Sequence, residues 1–197
     1  TIEETSIGLA KKLYRGQTLW QMMKDALDET VRKGGQMYRV RMLTNGLTLK
    51  KLGSNSYVYD LDTMVQAQLE RTQSLEGTIT KVKVLGKADD DKLAPVLANV
   101  SKNTSKYGTL QKIVYDENIK NYSQAKTVAN SVLCEPQQVW SVEIVGIYDI
   151  HAGDKVKIKG QELLVLSVSY NLKARQMSLH LANSDYVRRR VYGYGSV

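Results

Sequence analysis

WSVEIVG (residues 140–146), KVKIKG (155–160), LLVLSV (163–168) and MSLHL (177–181) follow a period of two, the pattern of half-buried β-strands. On this reading Trp140, Val142 and Ile144 face one way, then Val156 and Ile158, then Leu164, Leu166 and Val168, and last Met177, Leu179 and Leu181. Between them lie turn residues. Ala152-Gly153-Asp154-Lys155, Lys159-Gly160 and Asn171 through Arg175 supply Gly and Asn for positive φ, and Asp to bond its own backbone. Just upstream the period is helical: Ala125, Val128, Ala129, Val132 and Leu133 form one apolar face within 123–134, and Pro136 stops the helix. The spacing predicts one helix leading into an antiparallel meander or barrel wall.

Towards the N-terminus, Leu19, Trp20, Met23, Ala26, Leu27 and Val31 share a helical face over Thr18–Lys33, and Thr18 with Gln21 makes a capping box. Gly34-Gly35 ends that helix. Tyr38, Val40 and Met42, then Asn45-Gly46, then Leu47 and Leu49 read as a hairpin, because a two-residue type I′ turn needs positive φ at both central positions. Gly53 to Ser56 is a loop, and Met64 to Thr72 is assigned to a strand. Thr78, Thr80, Val82 and Val84 mark a strand that ends at Gly86; Lys87 to Lys92 reads as a charged loop and Pro95 through Lys106 as irregular. Tyr107-Gly108 introduces another strand pattern with Leu110, Ile113 and Tyr115. No repeat or low-complexity segment occurs.

The 197 residues suffice to bury a core without staples. The single cysteine, Cys134, excludes an internal disulfide and a Cys-rich zinc site, and its place beside the helix face reads as core edge. No stretch approaches the ~18 consecutive apolar residues of a membrane span, and no signal-peptide pattern opens the chain, so a soluble protein made in a reducing cytoplasm is expected. The net charge of +8 invites a polyanion partner, yet Lys81, Lys83, Lys155, Lys157 and Lys159 lie on polar strand sides, where they read as solvated and edge-protecting. Only Arg188-Arg189-Arg190 with Tyr186, Tyr192 and Tyr194 makes a compact basic-aromatic cluster, in a tail expected to be flexible. Twelve tyrosines against no phenylalanine suit surfaces that meet partners, since tyrosine keeps a polar tip.

A search for chemistry finds no constellation. His151 beside a turn and His180 on a strand form no zinc-type pair, and no glycine pattern opens a helix as a phosphate loop. Gly193-Tyr194-Gly195-Ser196 is not a nucleophile elbow, Asp89-Asp90-Asp91 lacks the rest of a calcium loop, and Asp25 with Glu29 lies one turn apart on an exposed helix face. The residues therefore assign no catalytic, cofactor-binding or metal site and no cofactor.

The order of these elements resembles a known family, the baseplate hub proteins of contractile phage tails and phage-tail-like bacteriocins, of the XkdQ type related to late-control-D proteins. The likeness rests on Gly16-Gln17-Thr18, Ser74-Leu75-Glu76-Gly77 with Val84-Leu85-Gly86, Lys106 to Gln111, Ser123 to Ala129, Ile150 to Val156, Leu164 to Ser169 and Met177 to Leu181. It implies a non-enzymatic structural component, a tail hub joining the tail tube to the central spike, with tail tube, spike and other baseplate proteins as partners and a homotrimer in the full-length protein. It also implies a place in a virion or tail-like particle assembled in the bacterial cytoplasm, with no membrane and no specific nucleic-acid partner. Family members carry a further N-terminal barrel, and this chain is expected to start after it. The expected architecture is α+β and mainly β. It comprises a helix-and-hairpin subdomain over 1–75, a tail-tube-like antiparallel β-barrel over 76–185 with the inserted helix 123–134, and a basic flexible tail over 186–197. The alternative is a basic nucleic-acid or polyanion binding module.

Overall fold

A computed structural model describes residues 3–5, 7–44, 46–64, 66–88 and 93–192. The chain forms two compact units, Thr1–Gln73 together with Gln138–Val197, and Ser74–Gln137. The strands expected to share one unit over 76–185 thus divide between two. The reason is pairing at long range, which leaves no local trace in the sequence.

The first unit holds helix α1 (Leu19–Arg32), strands β1 (Tyr38–Leu43), β2 (Gly46–Lys51) and β3 (Tyr59–Asp60), a 3-10 turn (Leu61–Thr63) and β4 (Gln66–Ser74). After the second unit it resumes with β8 (Gln137–Val145), β9 (Lys155–Ile158), β10 (Gln161–Asn171), β11 (Gln176–Ala182) and helix α4 (Ser184–Arg190). The capping box forms as read: Thr18 Oγ1 accepts from Gln21 N–H and Gln21 Oε1 from Thr18 N–H. β1 and β2 make the expected hairpin, but Leu43 pairs with Gly46, so Gly46 opens β2 and does not sit at the centre of the turn; Asn45 lies outside the described residues.

The main sheet runs β3-β9-β10-β11-β8-β4. β3 and β4 are its edges, so the described strands form an open sheet and not the closed barrel expected. β9–β10, β10–β11 and β11–β8 are antiparallel, and β3 lies parallel to β9, with Tyr59 opposite Val156. The β9–β10 connection is the two-residue turn its sequence called for, with φ +48° at Lys159 and +72° at Gly160. One face carries the larger core, built by Leu61, Trp140, Val142, Ile144, Ile150, Val156, Ile158, Met177, Leu179 and Leu181. These are the alternating residues read from β8, β9 and β11.

β10 departs from the reading. Leu163 and Val165, not Leu164 and Leu166, join the larger core; Leu164 and Leu166 point to the opposite face, where Val31, Ala182, Val187 and Tyr192 form a further core. A register shift between Val165 and Ser167 then returns Val168 to the first face. A strand covered on both faces reads as a continuous apolar run, which is why alternation misassigned it.

Residues 186–192 are not a flexible tail. Asn183 caps α4 through Tyr186 N–H, Val187 and Tyr192 are buried, and the Tyr192 hydroxyl donates to the Tyr38 carbonyl. The apolar side of α4 covers the second face of β10, so the helix is anchored by burial. Residues 193–197, including Tyr194 and Gly193-Tyr194-Gly195-Ser196, lie outside the described residues.

The second unit contains β5 (Lys81–Leu85), β6 (Val96–Ser101), the short α2 (Thr104–Tyr107), β7 (Gln111–Tyr115) and α3 (Tyr122–Val132), with sheet order β6-β5-β7. Asn121 caps α3 through Gln124 N–H at 2.9 Å. Ala125 and Ala129 press against Val82, Val84 and Ala98. The segment 95–106 read as irregular therefore holds a strand and a helical turn. Leu97 and Ala98, adjacent in sequence, both pack into this core across a register shift between Val84 and Leu85, so no clean alternation was there to read. Thr80 Oγ1 donates to Gly108 O at 2.7 Å and accepts from Leu110 N at 2.8 Å, tying the approach of β7 to β5.

Candidate functional site

The groups weighed for chemistry are each tied into local structure. His151 Nδ1 lies 3.4 Å from Asp149 and 3.8 Å from Asp154. The Asp154 carboxylate also accepts His151 N–H at 2.8 Å, closing the turn in which Gly153 has φ +91°. His180 and Ser141 are direct cross-strand partners with Nδ1 and Oγ 3.2 Å apart. The neighbouring Glu143 accepts from Ser178 Oγ at 3.2 Å, so that carboxylate does not orient the imidazole. Asp25 and Glu29 are not a bare solvated pair: Lys12 Nζ reaches them at 2.9 and 2.6 Å, and Tyr14 OH donates to Asp25 at 2.8 Å. The Lys12 and Lys33 ammoniums hold the Glu29 carboxyl below its ordinary pKa, while the bond to Asp25 raises the Tyr14 phenol. Cys134 is half-buried and pairs by backbone with Ile79. Among the described residues no group of three His, Cys, Asp or Glu is placed to hold a metal; Asp89-Asp90-Asp91 lies outside them.

What the fold does expose is surface suited to contact. In the second unit α3 covers one face of the sheet; the register sets Val96, Leu85 and Tyr115 in a row on the other, with Asn99, Lys83 and Ile113 in the next. Val96, Ile113 and Tyr115 are 51%, 55% and 52% exposed. The sequence had assigned Ile113 and Tyr115 to the pattern of β7, but the parallel register sets Val114 beside Val84 and turns both of them outward. Val96 was missed with its strand. In the first unit β4, a nine-residue strand at the sheet edge, carries Glu70 and Arg71 at its centre. Charges of this kind discourage indiscriminate edge pairing.

The lysine rows are less free than expected. Lys155, Lys157 and Lys159 lie 3.1, 3.8 and 3.8 Å from Glu162, Asp60 and Asp62. The tyrosines divide between roles: Tyr38 and Tyr192 are core, Tyr170 OH donates to Ile150 O at 2.9 Å, and Tyr57, Tyr115 and Tyr122 are exposed. The Arg188-Arg189-Arg190 cluster sits at the C-terminal turn of α4, where cations favour the helix dipole. No helix among the described residues is long and apolar enough to cross a membrane.

A fold of this kind, with two-, three- and six-stranded sheets and helices laid on them, is similar to that of solved tail proteins. The chain belongs to the YQBQ-like family, whose model matches residues 1–182. Among solved structures it is similar to the 43 kDa tail protein of prophage MuSo2 from Shewanella oneidensis, at 11% identity and TM-score 0.55, over 88% of this chain and 57% of that one. It is also similar to the tail protein from Neisseria meningitidis MC58, at 13% identity and TM-score 0.51, over 93% of this chain and 61% of that one. Prophage tail protein gp18 from Listeria monocytogenes EGD-e gives 14% identity and TM-score 0.50, over 89% of this chain and 55% of that one. The chain therefore spans less than two thirds of each of these proteins. No curated protein matches it in sequence.

Proposed function

We propose that this chain is a structural component of a phage tail or tail-like particle, and within it part of the baseplate hub that joins the tail tube to the central spike. The observation that carries the reading is the shared fold: three tail proteins, two of them from prophages, match over most of this chain. The row Val96, Leu85 and Tyr115, exposed at both ends, and the edges β3 and β4 support it, because a joint needs surfaces that neighbours complete. In this reading the six-stranded sheet is a wall segment of a tube-like barrel that strands of neighbouring copies complete, in a trimer of the full-length protein. Tail tube and spike proteins are its partners, and its place is the assembled particle.

The test is location. Particles purified from the producing bacterium and labelled with antibody against this chain are expected to show it at the spike-bearing end of the tail. Recovery of the protein only outside particles, or labelling along the whole tube, overturns the hub role.

A further inference from the structure

We propose that the β1–β2 hairpin and the turn at Gly153 form a binding groove for an extended acidic segment of a partner protein. The site deepens the particle role proposed above and rests on it only for the identity of the partner. Arg39, Arg41, Lys50 and Lys51 line a polar groove of about 490 Å³ within the first unit. Arg39 sits directly opposite Lys50 in the hairpin register, an arrangement of like charges that destabilises a strand pair unless an anion offsets it. Unlike Lys155, Lys157 and Lys159, none of the four side chains has a carboxylate within ion-pair distance among the described residues. Glu3 takes the backbone N–H of Lys51 at 2.8 Å, not its ammonium. The four cations are thus crowded and without a direct ion pair among the described residues.

Gly153 keeps the groove open. A Cβ there would stand 3.0 Å from Arg39 Cδ and 3.1 Å from Leu52 Cδ2, so glycine lets the arginine stem lie across the turn. Arg39 and Arg41 are two residues apart on one strand face, about 6.8 Å, the repeat at which an extended peptide presents every second side chain. Their planar guanidiniums match carboxylates in two-bond geometry. The opposite wall decides between polyanions: Asp149 and Asp154 flank the groove. A phosphodiester backbone has no hydrogen-bond donor to offer these carboxylates, whereas a peptide offers backbone N–H groups that they accept. Exposed Tyr57, edge-on to Tyr59 with centroids 4.7 Å apart, gives apolar contact at one end.

The probe is a fluorescein-labelled oligo-glutamate, compared by anisotropy with an oligothymidylate of equal charge, each titrated with the full chain at two salt concentrations. Saturable oligo-glutamate binding that weakens with salt is expected, with the oligothymidylate bound less tightly. Arg39→Gln with Lys50→Gln, and separately Arg41→Gln, weaken oligo-glutamate by about tenfold for each charge removed, the worth of one charge-assisted hydrogen bond. Lys106→Gln with Lys126→Gln, on the second unit, leaves it unchanged. Melting curves accompany each variant, and Lys50→Gln alone is expected to melt no lower than the parent. Equal loss in both sets of variants, absence of saturable binding, or tighter binding of oligothymidylate overturns the groove. Incorporation into particles is scored separately: binding without incorporation sinks the hub role and leaves the groove standing, and incorporation without binding does the reverse.

Discussion

Tyr192 shows how one side chain ties two elements together and makes stability answer to pH. Burial, with Asp28 nearby, pushes its phenol up to about 12 from an ordinary 10.0. The folded state thus holds the proton more tightly than the unfolded chain does. This contribution is complete below pH about 10 and is lost as pH rises through about 12, at most about 3 kcal/mol from a shift of two pKa units. Tyr192→Phe, which cannot ionise, is expected to melt slightly lower at neutral pH for want of the hydroxyl bond to Tyr38, and to lose less stability than the parent between pH 10 and 12. Parallel melting curves across that window would refute this account. Gly153 is the other residue with a sharp expectation, because its φ of +91° and the approach of Arg39 and Leu52 both oppose a Cβ. Gly153→Ala should cost about 1–3 kcal/mol by chemical denaturation, and an unchanged midpoint would show that the turn relaxes freely.

At the scale of elements, α4 and β10 form a layer that the chain's local pattern hid. Val187 is buried against the second face of β10, so Val187→Ala is expected to lower stability by about 2 kcal/mol. Arg190→Ala, on an exposed position of the same helix, should stay within about 0.5 kcal/mol of the parent. Equal and negligible effects in a denaturant titration would return residues 184–192 to the status of a loose tail. Strands with one covered face were legible: Trp140, Val142 and Ile144, or Met177, Leu179 and Leu181, alternate because solvent takes every second side chain. The turn chemistry of Lys159-Gly160 and the cap at Thr18 were legible too, being local. Leu164 and Leu166 were not, since a second apolar layer erases the alternation, and Leu97 with Ala98 were masked by a register shift. The basic groove was half legible. Arg39 and Arg41 alternate on β1, but an Asn45-Gly46 turn sets Lys50 opposite Arg41 and the structure sets it opposite Arg39; that Gly153 and Asp154 arrive beside them follows from long-range contacts such as the hydrogen bond of Gly53 N–H to Gly153 O, 2.8 Å long and 100 residues apart in sequence.

At the scale of the molecule, one unit is inserted into another. Ser74–Gln137 interrupts a first unit whose two segments share a sheet through β3 beside β9 and β4 beside β8. The sequence could not display this, because loop closure over such a distance is set by tertiary pairing rather than by any residue at the junction. The junction itself is closed: Arg71 Nη2 lies 3.3 Å from Gln138 Oε1, and its guanidinium stands 5.0 Å from the centre of the Trp140 ring. Chain ends held this close tolerate replacement of the intervening segment, since a short Gly/Ser linker spans them without strain. A protein in which such a linker replaces residues 74–137 is therefore expected to unfold cooperatively, because Trp140, Val142, Ile144, Met177, Leu179 and Leu181 form one apolar core with residues of the first unit. Trp140 fluorescence and far-ultraviolet dichroism should report one coincident transition. A non-cooperative melt with a solvated Trp140 would mean that the six-stranded sheet depends on the inserted unit, and that the two are one folding body.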